Sequence, residues 1–429
     1  MEAVRGEAVE LLQELIRLDT VNPPGDETAA AELLRNYLAE SGVESELYAK
    51  VPERANLVAR LRGRGGPSLL LLSHTDTVVA NAAEWRVDPW SGELRDGEVW
   101  GRGALDMKGE VAASAAAVAS LAREGFEPSG DLIFVAAADE EVGNDFGLPW
   151  LCREHPDAVR ADYALNEGGG ERVELAGRHF YICSTAEKMS SPFRLRVHGR
   201  AGHASMPGIA DNALTKAAPL IERLSEYRPE PRLGVETESF VRAVTGRTLE
   251  AEDALDAARE LDPFAAELLE PLLSLTLSPT MISASERRNV IPSVCEVVVD
   301  CRLLPEQTQR EVEQVLRTVL GEGDYDFEWI EARGGTRSPL QTPLWDAIDR
   351  FVAEFDPDAA VVPICVAGFT DSHWLREAFG TVAYGFFPMR AMDAQLAARL
   401  IHSADERIPV DDLEFGVECF RHVARTLLG

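Results

Sequence analysis

Four consecutive leucines, Leu69 to Leu72, run straight into Ser73-His74-Thr75-Asp76-Thr77. An apolar run this short, closed at once by polar residues, predicts a strand buried on both faces, the kind found inside parallel sheets. Ligands of such sheets gather beyond the carboxyl ends of the strands, where His74 and Asp76 fall. A second aspartate, Asp106, follows on the Gly-rich loop Trp100-Gly101-Arg102-Gly103-Ala104-Leu105-Asp106-Met107-Lys108-Gly109. Imidazole and carboxylate groups delivered in this way suit a divalent metal ion.

The surrounding pattern is α/β. Apolar residues at helical spacing predict a helix over 3–19, and Asn22-Pro23-Pro24-Gly25-Asp26 stops it, with Asp26 placed to cap a second helix reaching about Ser41. Short strands are expected near 44–49 and 56–62. The Ala-rich stretch Gly109 to Arg123 is a helix by propensity. Asp131 to Ala138 is another buried strand, ending in Asp139-Glu140-Glu141-Val142-Gly143, and Tyr163 to Asn166 is a third, ending in Glu167-Gly168-Gly169-Gly170. Strand, polar end and helix in alternation predict a doubly wound, mostly parallel sheet.

Near residue 186 the pattern changes. Phe193, Leu195 and Val197 alternate with Arg194, Arg196 and His198, as in a half-exposed antiparallel strand. With an acidic helical segment over 235–273 set aside, the order is βαββαβ, a two-layer α+β unit inserted into the first domain. From about 340 the α/β pattern resumes. The expected division is 1–185 and 334–429 for one domain and 186–333 for the insertion, and 429 residues suffice for a core in each.

Charge narrows the function. A net charge of −31 argues against nucleic-acid or anionic-membrane partners, which need a basic surface. No apolar run approaches the length of a bilayer span, and the first residues lack a signal peptide's hydrophobic region, so a cytoplasmic location is expected. The six cysteines form no CxxC pair and read as buried free thiols.

Taken singly, no His or Glu here is decisive. Their convergence is: in a parallel sheet His74, Asp106, Glu141, Glu167 and His402 would meet at one edge. Five nitrogen and oxygen donors exceed one tetrahedral zinc with an open position, and two ions sharing a carboxylate accommodate them. Glu140 and Glu141, adjacent in an extended segment, point opposite ways and cannot easily ligate the same ion. Asp76, two residues from His74, lies on the same side of the chain and can fix the imidazole's orientation.

The set Ser-His-Thr-Asp-Thr-Val, Gly-Arg-Gly-Ala-Leu-Asp-Met-Lys-Gly, Asp-Glu-Glu-Val-Gly, Asn-Glu-Gly-Gly and His-Ser-Ala-Asp-Glu-Arg resembles the M20 family of di-zinc metallopeptidases and amidohydrolases. Aminoacylases, carboxypeptidases, acetylornithine deacetylases and succinyl-diaminopimelate desuccinylases belong to it. The likeness implies two Zn2+ (or Co2+ or Mn2+ in their place) bridged by Asp106, with His74 and Glu167 completing one site and Glu141 and His402 the other. It implies Glu140 as general base, and a cis Asp106-Met107 peptide. It also implies a homodimer formed through the inserted lid domain, with His203 of Gly202-His203-Ala204-Ser205 lent to the partner's site, and Asn289 near the substrate.

Relatives that hold a substrate carboxylate often use an arginine beside a Gly-x-Thr-Asp motif. In Gly368-Phe369-Thr370-Asp371-Ser372-His373 neither flank offers one, which leaves His373 or Arg390, or a substrate without that carboxylate. The expected activity is cleavage of an amide bond in a small peptide or N-acyl amino acid. A biosynthetic deacylase and an inactive metal- or peptide-binding protein on the same fold are the alternatives.

Overall fold

Leu69–His74 is a strand buried at every position, and the twofold alternation of its side chains divides the leucines between two cores. Leu69 and Leu71 pack with Phe134 and Ala136 against Leu12, Val111 and Phe420, which come from the helices Glu2–Arg17, Lys108–Arg123 and Val410–Leu428. On the other face Leu70 and Leu72 pack with Ile133, Val135, Leu148, Leu151 and Leu375. Helices therefore cover both faces, the arrangement that an uninterrupted leucine run requires.

The computed structural model describes residues 2–143, 145–330 and 335–429. The chain divides into two compact units, one comprising Met1–Thr185, Ser338–Ile364 and Thr370–Gly429, the other Ala186–Arg337 and Cys365–Phe369. The boundary expected at 333/334 lies outside the described residues.

In the first unit Leu132–Ala137, Leu69–His74, Tyr163–Asn166 and Val382–Gly385 lie side by side and parallel. Their register sets His74 opposite Ala137 and Leu71 opposite Leu165, so the three polar strand ends emerge at one edge. The sheet is largely rather than wholly parallel. Glu44–Ala49 and Ala55–Leu61 form an antiparallel hairpin on one side, and Arg178–Glu187 runs antiparallel to Val382–Gly385 on the other. At Gly385 a Cβ would lie 2.1 Å from the carbonyl oxygen of Glu167, so only glycine permits this close approach.

Several local expectations are corrected. The second helix is Thr28–Glu40, and Glu27 rather than Asp26 takes the cap position. Glu27 makes no capping bond because Arg54 engages both its oxygens, at 2.6 and 2.7 Å. The hairpin Arg172–Leu175 with Arg178–Glu187 and the helices Ser372–Phe379 and Ala394–Leu400 have no counterpart in the sequence reading.

In the second unit Thr276–Ser283, Val294–Leu303, Phe193–His198 and Tyr325–Trp329 form an antiparallel sheet in that order. One face, carrying Phe193, Leu195, Val297 and Val299, packs on Ala217, Leu220 and Leu316 of the helices Ala213–Glu226 and Gln309–Leu320. Arg194 and Arg196, at the alternate positions, pair instead with Glu328 at 3.6 Å and Glu296 at 2.7 Å. The edge strand Thr276–Ser283 leaves Met281 and Ile282 exposed. All six cysteines are buried and free.

Candidate metal centre

Two triads of ligand atoms form where the parallel strands end. His74, Asp106 and Glu167 make one, Asp106, Glu141 and His402 the other, and within each triad the donor atoms all lie within 4.8 Å of one another. The shared aspartate divides its oxygens. Asp106 Oδ1 lies 3.2 Å from His74 Nε2, and Oδ2 lies 3.0 Å from His402 Nε2. Glu167 approaches His74 Nε2 at 3.7 Å, and Glu141 approaches His402 Nε2 at 3.2 Å. Glu140 belongs to neither triad, although it and Glu141 stand in a turn after the left-handed Asp139 rather than in the expected extended segment, and its carboxylate lies 4.0 Å from His74 Nε2.

Different elements deliver these groups. His74 ends its strand, Glu141 and Glu167 follow theirs, and Asp106 sits at a cis bond to Met107 just before the helix Lys108–Arg123. The Asp106 loop is held by the fully buried Glu406, which accepts from the backbone of Leu105 at 2.7 Å, Asp106 at 3.0 Å and Gly103 at 3.2 Å, and pairs with Arg102 at 2.5 Å. Glu406 lies four residues beyond His402, so one carboxylate couples the loops of two candidate ligands.

Asp76 takes more bonds than its expected task requires. His74 Nδ1 lies 3.1 Å from the Asp76 carbonyl oxygen and 3.4 Å from its Oδ1. The same carboxylate accepts the backbone N–H groups of Glu140 and Glu141, each at 3.1 Å.

Electrostatics favour cations here. Burial raises the Glu140 carboxyl well above its ordinary pKa, and neighbouring Glu167 adds to the effect. Burial likewise raises Glu167 and Asp371. Burial opposes ionisation of Asp106 as well, but hydrogen bonds from His402 and His74 prevail and hold it below the usual carboxylate range. Burial alone would lower His74, yet bonds to Asp106, Asp76 and Glu167 carry it well above the ordinary imidazole value. Bonds to Asp106 and Glu141 raise His402 to about 10. Glu141 Oε1 is buried with no hydrogen-bond partner among the described residues, a spare donor atom of the kind a cation takes up. The donor set therefore fits divalent ions.

The other expected residues lie elsewhere. His203 and Asn289 belong to the second unit, where Ala204 N donates to the Asn289 carbonyl at 3.0 Å and His203 Nδ1 lies 2.7 Å from the Ser205 hydroxyl. His373 is buried in the helix Ser372–Phe379 with its Nε2 3.6 Å from Glu377. Arg390 is not brought to the triads. Its guanidinium covers the Phe415 ring at 4.1 Å and donates to the Phe355 carbonyl at 3.4 Å, drawn there by an aromatic face and a helix C-terminus. The sequence gives no role to Asp371 beyond its place in the Gly-x-Thr-Asp motif. It is buried and its Oδ2 has no partner among the described residues.

The sequence profile of peptidase family M20/M25/M40 matches residues 70–426. The chain belongs to this peptidase family. It is accordingly an amide-bond hydrolase of a metal-dependent family. The succinyl-diaminopimelate desuccinylase of Methylocella silvestris is 33% identical to the chain, over 95% of the chain and 94% of the relative. Porcine (Sus scrofa) aminoacylase-1 is 28% identical, over 98% and 95%. Among solved structures, an M20 metallo-carboxypeptidase from Sulfolobus solfataricus superposes with a TM-score of 0.74 at 17% identity, covering 98% of this chain and 99% of the other. Human carnosine dipeptidase 1 follows with 0.69 at 17% identity, covering 99% and 97%, and both share the fold. Among the described residues no helix is long and apolar enough to cross a membrane.

Proposed function

We propose that this M20 hydrolase cleaves an amide bond in a small peptide or N-acyl amino acid at a pair of divalent ions, Zn2+ by preference with Co2+ or Mn2+ as substitutes. The observation that carries the reading is the division of Asp106, one oxygen to each triad, with Glu140 alongside but outside both. His74 and Glu167 would hold one ion, Glu141 and His402 the other. Two divalent ions there supply Lewis acidity that acidifies a water and polarises the scissile carbonyl.

The chain's own residues do the rest. Glu140 takes the proton of the attacking water as its oxygen joins the carbonyl carbon, then returns that proton to the amine nitrogen as the C–N bond breaks. Asp76 keeps the His74 ring in place and fixes the backbone from which Glu140 and Glu141 project. Asn289 and His203 are adjacent in the second unit, which supports their acting as one substrate-facing group.

The test is a hydrolysis panel of dipeptides, N-acetyl amino acids and N-succinyl amino acids with zinc, cobalt or manganese added. Turnover of one class names the substrate. Preference for N-succinyl amino acids would select the biosynthetic deacylase, in keeping with the desuccinylase relative. A metal-loaded protein silent on the whole panel would select the inactive binding protein.

A homodimer through the second unit is part of the proposal, supported by the exposed Met281 and Ile282 on an edge strand, a place where unpaired backbone invites a second copy. If His203 donates to the oxyanion of the tetrahedral intermediate, His203→Ala lowers kcat by about 10²–10³-fold, the usual cost of losing one such donor. Sedimentation would show the dimer retained. Unchanged turnover in an intact dimer removes His203 from the mechanism.

A further inference from the structure

We propose that Asn22 is a positioning residue that locks the Glu140-Glu141 turn to the His74 imidazole through the Asp76 carboxylate. The inference rests on Glu140 and Glu141 having the roles given above. In the sequence Asn22 reads only as a helix stop.

Asn22 is 3% exposed and anchored by its own backbone, N donating to the Thr77 carbonyl at 2.9 Å. Its side-chain nitrogen donates to two carboxylates at once, Asp76 Oδ2 at 2.9 Å and Asp139 Oδ1 at 3.0 Å. Both amide hydrogens are thereby used. A flipped amide would set its oxygen against two carboxylates, so the orientation is forced. The side-chain oxygen, left without a partner among the described residues, is what that orientation costs.

Asp76 and Asp139 lie on either side of the residues that matter. Asp76 Oδ1 receives the amide of Glu140 and Oδ2 that of Glu141, each at 3.1 Å, while Oδ1 also lies 3.4 Å from His74 Nδ1. Asp139 immediately precedes Glu140 and has a φ of +64°, in the left-handed region. Such a backbone persists where its surroundings hold it. Here the hold comes from Asn22, from Arg54 Nη2 at 3.1 Å and from the Phe146 N–H, which donates to Asp139 Oδ2 at 3.0 Å.

Arg54 in turn is bound to Glu27 and donates to the Pro24 carbonyl at 2.9 Å. Besides backbone N–H groups and His74, three buried carboxylates, Glu27, Asp76 and Asp139, are thus served by one guanidinium and one side-chain amide. Arg54 already satisfies Glu27 and one oxygen of Asp139. The donor between Asp139 and Asp76 is left to Asn22, and without it two buried like charges face each other.

Two variants test this. Asn22→Leu removes both donors without adding charge, and Asn22→Asp keeps the shape while replacing the donors with an oxygen. In the metal-free protein, hydrogen exchange followed by mass spectrometry should show residues 139–142 exchanging at least about tenfold faster in both, with Leu69–His74 unchanged. Zinc titration should show affinity reduced by about 10–100-fold, and kcat should fall by a similar factor with KM held, the usual consequence of losing a ligand-orienting contact. A general loss of stability would instead speed exchange throughout. If Asn22→Leu does not fold, Asn22→Asp decides. Wild-type exchange rates over 139–142 in the folded variants would overturn the proposal. Exchange and zinc affinity are read without substrate, so a wild-type protein lacking hydrolase activity would sink the functional reading while leaving this one to be judged separately.

Discussion

Glu140→Gln is expected to lower kcat by about 10²–10⁴-fold, the range over which a positioned general base contributes. The substitution keeps the volume and removes the only function proposed for the side chain. Because Glu140 stands outside both ligand triads, the ion content should not change. KM should move little, since the loss falls on the step in which the proton is transferred. Steady-state kinetics paired with metal analysis on the same sample checks this. A variant that kept more than a tenth of wild-type turnover would assign the base to another group, and the buried carboxyl of Asp371 would be the first to examine.

Asp106→Asn should act on both ions together. The native carboxylate offers an oxygen to each triad, and asparagine offers one neutral oxygen and a nitrogen that cannot ligate. Ion content should fall from two per chain to one or fewer. Turnover should fall roughly 10³-fold, corresponding to the several kcal/mol that metal polarisation supplies. Replacing Glu167 or His402 by alanine should instead weaken one ion more than the other, because each belongs to a single triad. Equal retention of two ions in Asp106→Asn would refute the shared-carboxylate arrangement.

The leucine run, the Leu132–Ala137 strand and the helix after Asp106 were legible because each carries its periodicity within a few residues. The hairpin Arg172–Leu175 with Arg178–Glu187 went unread, although Val173 and Leu175 alternate with Arg172 and Glu174 and Phe180 to Cys183 make an apolar run, because runs of four residues do not by their period alone distinguish a strand. The helix Ser372–Phe379 went unread because it begins inside the motif Gly368 to His373, which was read for its chemistry rather than its conformation. Asp26 looked like a cap by residue type, but the cap position falls one residue later, on a glutamate whose oxygens a distant arginine has taken.

The candidate ligands were visible as residue types at strand ends, and the structure brings those five together. The contacts behind them were not visible. Asn22 meets Asp139 across 117 positions, and Glu406 meets Asp106 across 300. No local pattern announces such a partner.

The order of residues by itself determined which chemistry each strand would deliver at its end, because burial of an apolar run and exposure of the polar residues that follow are properties of neighbours in the chain. Only the tertiary structure decided that Asp106 turns one oxygen to each histidine, that Asp76 binds the two amides behind Glu140 and Glu141, and that Arg390 faces Phe415 instead. Those outcomes depend on parallel register and on directed hydrogen bonds between segments far apart in sequence, and both exist only once the sheet has assembled.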